Sequence, residues 1–133
     1  MTTPEQVAQF LKSVAEWAAA QPDLAALVLV GSHARGAATE SSDIDLVLLA
    51  HDPRRYLDDR HWIEHFGAVQ RVTVEDYGKV TSLRVFYADG REVEYGLTDE
   101  TWGADPADAG TQRVIADGLR VLFERRPFIR SSR

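Results

Sequence analysis

A chain of 133 residues has the length of a single domain with a modest core, and 44% hydrophobic against 27% charged residues is the balance of a chain that folds. No apolar stretch approaches the roughly 20 residues of a spanning helix, and the start MTTPEQVAQF lacks the basic and greasy regions of a secretion signal, so a cytoplasmic protein without a membrane segment is expected. A net charge of −6 argues against sequence-independent polynucleotide binding, which needs a basic face, and the absence of cysteine excludes disulfides and thiolate metal sites.

Thr3 stands where an N-cap should, Pro4 suits a first helical turn, and Val7, Phe10, Leu11, Val14, Trp17 and Ala18 recur at helical spacing. These features predict an amphipathic helix ending near Gln21 and Pro22. ALVLV, residues 26–30, reads as a buried strand and IDLVLLA, residues 44–50, as a second; their unbroken apolar character predicts central positions in a sheet. HDPRRYLDD reads as a polar connection, and RHWIEHF as a short helix stopped by Gly67. Three β-rich stretches follow at 69–75, 81–87 and 92–97, with Asp89-Gly90 turning the last two into a hairpin. TQRVIAD is expected to be helical with Gly118 as its cap, LRVLFE to add a small edge strand, and the arginine-rich end RRPFIRSSR to be solvated without a role.

The chemistry concentrates between the first two strands. Alternate side chains of a strand share a face, so Asp43 and Asp45 point the same way while Ile44 and Leu46 point into packing. Two carboxylates held that close repel unless a divalent cation lies between them, and oxygen ligands without nearby His or Cys suit Mg²⁺ or Mn²⁺. The bland alternative is a solvated strand edge. Against it stands the preceding turn, VGSHARG, where Gly31 permits close approach of backbone N–H groups, Ser32 adds a hydroxyl, and a short helix can start at His33 or Ala34. It forms a phosphate cradle but not a Walker A loop, since no Lys-Ser or Lys-Thr follows Gly36.

Val30-Gly31-Ser32, ten intervening residues and Asp43-Ile44-Asp45-Leu46 resemble the signature of the DNA polymerase beta-like nucleotidyltransferases, in the Ser-Asp-Ile-Asp-Leu wording of their minimal, stand-alone members. The resemblance runs from about Leu24 to Leu97. It implies an α+β nucleotidyltransferase fold, a mixed central sheet with helices packed on it, within a single domain over 1–133. It also implies a third carboxylate on a later strand, for which DGREVEYGL offers Glu94, where many members carry Asp. Glu92 shares Glu94's face but lies nearer the Asp89-Gly90 turn, where water competes, so Glu94 is preferred.

The implied activity is Mg²⁺-dependent transfer of a nucleoside monophosphate, AMP from ATP or its equivalent from another NTP, to a hydroxyl of a small molecule or protein, with release of pyrophosphate. Asp43, Asp45 and Glu94 would be catalytic residues and ligands of two Mg²⁺ ions, which at about 3.5–4 Å separation can stabilise both the attacking and leaving oxygens. Gly31 and Ser32 would hold the triphosphate. Arg35 is assigned to phosphate as well, with a plain surface arginine as the equal alternative.

Rival readings are a minimal nucleotidyltransferase antitoxin that adenylylates or binds a ribonuclease toxin, and a non-catalytic nucleotide-binding interaction module, against which the intact acids speak. His61-Trp62-Ile63-Glu64-His65 also matches the H-x-x-E-H pattern of inverted zinc peptidases, but on so short a helix Trp62, Ile63 and Phe66 read better as packing. Related resistance enzymes carry an extra helical domain for the acceptor, and a chain of this length has little room for one. The acceptor pocket is then expected to be shallow, shared within a homodimer, or supplied by a partner protein.

Overall fold

The computed structural model describes residues 3–39, 41–102 and 118–125. Helix α1 (Pro4–Ala19) opens with a reciprocal capping box: the Gln6 amide donates to Thr3 Oγ1 at 3.2 Å, and the Thr3 amide donates to Gln6 Oε1 at 2.8 Å. Two orphan donors of the first turn are thereby satisfied. Strand β1 (Leu24–Val30) runs directly into the five-residue helix α2 (Gly31–Arg35), which precedes β2 (Ile44–Ala50). Helix α3 (Pro53–Asp58) and a 3-10 helix (His61–Phe66) lead to β3 (Val69–Asp76), β4 (Thr81–Tyr87) and β5 (Glu92–Thr98), and β6 (Arg120–Glu124) ends the described chain.

The strands form one sheet in the order β3-β4-β5-β2-β1-β6, so β1 and β2 are interior and LRVLFE is an edge, as their sequences predict. Neighbours are antiparallel except β2 and β5, which pair in parallel. The architecture is thus α+β with a mixed sheet. One face of the sheet is apolar: Leu27, Leu29, Ile44, Leu46, Leu48, Leu83, Val85, Val93 and Tyr95 are buried with Phe10, Leu11, Val14 and Ala18 of α1 and with Tyr56 and Ile63. A bulge between Leu24 and Ala26 in β1 shifts the alternation, so that Leu24 joins this face while Ala26, Val28 and Val30 face the other. There they pack with Val47, Leu49 and Trp102.

Three expectations are corrected. HDPRRYLDD is not merely a connection: Asp52 takes the N-cap position and Pro53 the first turn of α3. RHWIEHF folds as a 3-10 helix, in which residues four apart no longer share a face, and His61 and His65 are both exposed. The segment packs as its apolar residues suggest, with Trp62 stacked on Trp17 at 5.1 Å and edge-on to Tyr95 at 4.8 Å. Helix α2 begins at Gly31 itself rather than at His33 or Ala34. TQRVIAD and the arginine-rich end lie outside the described residues.

Candidate active site

Sheet register builds the site. Val30 pairs with Asp45, Asp45 with Glu94, Glu94 with Arg84 and Arg84 with Thr73, a single row crossing five strands. Directly paired residues share a face, so Asp45, Glu94 and Arg84 project from the same side of the sheet, opposite α1. Asp43, two residues before Asp45, joins them. Asp43, Asp45 and Glu94 each offer a carboxylate oxygen such that all three lie within 4.8 Å of one another. Glu92, the rejected alternative, is not part of that group among the described residues.

Gly31 is fixed by two constraints. Its φ of +74° lies in the left-handed region, where a side chain is strained, and a Cβ at this position would run into the Asp45 carboxylate. The turn that ends β1 therefore backs directly onto Asp45. Ser32 follows within α2, and Arg35 closes that helix on its exposed side. The structure thus brings the three acids and Gly31 together, with Ser32 one residue along, and leaves Arg35 at the far end of α2.

Electrostatically, Asp45 is the outlier. Burial, followed by the charges of Asp43 and Glu94, pushes its carboxyl up from the ordinary 3.8 to about 7. Its Oδ1 is buried and meets no hydrogen-bond donor among the described residues. Three converging carboxylates, one with an undonated buried oxygen, form an all-oxygen set that fits a hard divalent cation such as Mg²⁺.

The sequence reading missed Arg84. Its Nη1 donates to Asp43 Oδ2 at 3.0 Å and to Glu92 Oε2 at 2.5 Å, its Nη2 donates to Glu94 Oε2 at 2.9 Å, and its Nε donates to Glu75. The side chain is only 22% exposed. A signal was available: in TSLRVFY, Arg84 lies between buried Leu83 and Val85, so it must face the opposite side with Ser82 and Phe86. Glu75 is held below the ordinary carboxylate range by its hydrogen bond from Arg84 and, next, by that from Tyr77.

Known proteins resemble this chain in sequence and in fold. The sequence matches the family model of streptomycin adenylyltransferase over residues 5–102. Among solved structures, the fold is similar to that of an aminoglycoside 6-adenyltransferase from Bacillus subtilis, with a TM-score of 0.51 and 15% identity over 68% of this chain and 33% of that one. It is similar too to the Cid1 poly(U) polymerase bound to Mg 3'-dATP, with a TM-score of 0.50 and 15% identity over 72% of this chain and 32% of that one. The chain spans about a third of the length of these structures. No curated protein matches it in sequence. The fold is that of the polymerase beta-like nucleotidyltransferases, as the motif resemblance implies.

Proposed function

The chain belongs to the streptomycin adenylyltransferase family, and from that premise we propose that it transfers AMP from ATP to a hydroxyl of a small acceptor and releases pyrophosphate. The observation that carries this reading is the convergence of Asp43, Asp45 and Glu94 within 4.8 Å of one another, against the Gly31 turn. The acceptor oxygen forms a bond to the α-phosphorus, the bond from that phosphorus to the bridging oxygen of the β-phosphate breaks, and the pyrophosphate group leaves with its electron pair.

Asp43, Asp45 and Glu94 would hold Mg²⁺, which when bound supplies charge neutralisation for the triphosphate and the leaving group. The chain's own contribution is positioning. Gly31 keeps Asp45 pressed against the end of β1, so its carboxylate has little freedom, and the site is preorganised before substrate arrives. The Gly31-Ser32 turn offers backbone amides and a hydroxyl to the triphosphate. Glu94, on the interior strand β5, accepts the acceptor's proton. The excess of carboxylates around the site, on a chain of net charge −6, favours a cationic acceptor over a polyanion. An aminoglycoside of the streptomycin type has that character and is the first acceptor to try.

The test is incubation with Mg²⁺, streptomycin and ATP labelled at either the α- or the γ-phosphate. Label from the α-position should appear on the acceptor, label from the γ-position should appear in pyrophosphate, and Asp45→Asn should abolish both. Transfer of the γ-label, or transfer independent of divalent cation, would overturn the reading. Cell lysate in place of streptomycin extends the same assay to other small acceptors and to a protein partner.

A further inference from the structure

The metal reading leaves Arg84 unexplained. Its guanidinium donates to one oxygen each of Asp43 and Glu94, two of the three carboxylates that converge as cation ligands. It makes no hydrogen bond to the third, Asp45. An arginine stays protonated throughout the physiological range, so it cannot leave such a site by losing its charge; it must move or repel whatever enters. Glu75 and Glu92 supply somewhere to move. Both lie outside the triad and both already hold the same guanidinium, through Nε and Nη1 respectively.

We propose that Arg84 is a built-in counter-cation, which neutralises Asp43 and Glu94 in the metal-free protein and withdraws toward Glu75 and Glu92 as a divalent cation enters, thereby setting the affinity of the centre for metal. The proposal rests on the reading of Asp43, Asp45 and Glu94 as cation ligands. Its logic is charge compensation. Withdrawal without a partner would leave a largely buried guanidinium uncompensated. Two further carboxylates on β3 and β5 prevent that, because the guanidinium stays paired in both positions. They also explain why an arginine, with its fork of donors, stands here: a lysine's point charge cannot bridge four carboxylates at fixed angles. A static ion-pair network joining β3, β4 and β5 would hold the same contacts but would not couple them to cation binding.

The experiment titrates Mn²⁺ into the metal-free full chain without nucleotide and counts free Mn²⁺ by electron paramagnetic resonance. Asp45→Asn should abolish wild-type binding. Arg84→Gln should bind Mn²⁺ about tenfold or more tightly than wild type, since a unit positive charge beside a divalent ion is removed, with Arg84→Lys in between. In wild type, the Arg84 Nε–H resonance, identified by its loss in Arg84→Lys, should shift in step with Mg²⁺ saturation; this readout stands even if Arg84→Gln does not fold without metal. Asp45-dependent Mn²⁺ binding that neither Arg84 variant tightens, with an unmoved Nε–H resonance, overturns the proposal and leaves the metal reading intact. An Arg84→Gln effect confined to weaker MgATP binding overturns it in favour of a phosphate contact. Absence of Asp45-dependent Mn²⁺ binding in every variant overturns the proposal together with the metal reading.

Discussion

The two faces of the central strands differ in kind. On one, Ile44, Leu46 and Leu48 of β2 lie buried in the core that also takes in the apolar stripe of α1, beside Val93 and Tyr95 of β5. On the other, the same two strands present Asp45 and Glu94, which Asp43 and Arg84 join. Alternation along a strand allows this division: the acids stand only on the face opposite α1, which farther along β2 also buries Val47 and Leu49 with Trp102. The apolar face contributes folding free energy. The acidic face draws on it in the metal-free protein, and the raised pKa of Asp45 is the sign of that load.

The comparison breaks most visibly on the apolar side. Leu48→Ala opens a cavity in that core, where Leu48 is fully buried, and should cost about 2–5 kcal/mol in denaturant unfolding, with any activity lost only as the fold is lost. Gly31→Ala acts on the boundary between the faces. It meets both the positive φ and the Asp45 carboxylate, so about 1–3 kcal/mol of backbone strain is expected, with activity falling far more than the melting temperature would explain.

Changes confined to the acidic side should behave in the opposite sense. Above pH 4 the folded protein keeps on Asp45 a proton that the unfolded chain, with its ordinary value of 3.8, has released. Folding therefore takes up a proton in this window, and the metal-free protein should lose stability as pH rises from the ordinary value toward about 7, then level off. Asp45→Asn should flatten that slope and stabilise the metal-free protein at neutral pH, by on the order of 1–2 kcal/mol once solvent screening is discounted. Thermal melts across the pH range, in the presence of a chelator, measure both effects. The smallest change is expected from Glu92→Gln, which removes one of four carboxylates around Arg84 and none of the converging three. It should keep most of the transfer activity and shift stability by no more than about 1 kcal/mol. Loss of turnover in Glu92→Gln, with activity retained in Glu94→Gln, would mean that the two glutamates exchange roles.

What the sequence made legible follows the same division. The strands β1, β2, β4 and β5 could be read because unbroken apolar runs and a Asp-Gly turn carry strong local signals, and Asp43 with Asp45 could be read because alternation alone fixes their common direction. Parallel pairing of β2 with β5 brings Glu94 opposite Asp45 across almost fifty residues of chain, and no local pattern encodes that register. The motif resemblance pointed to Glu94 as a candidate third acid, without the register. Arg84 was missed because its partners lie on three other elements, β3, β5 and the entry to β2. Helix α3 was missed because six residues with a single buried side chain, Tyr56, show no period to detect.

The acidic face as a divalent-cation and nucleotide site is tested most directly by calorimetry of ATP binding to the wild-type chain, with Mg²⁺ and then with excess chelator, alongside Asp45→Asn. Binding that needs Mg²⁺ and is lost in a folded Asp45→Asn protein is the expected result. Equal ATP affinity with and without the cation, or unchanged Mg-ATP binding in Asp45→Asn, would contradict it.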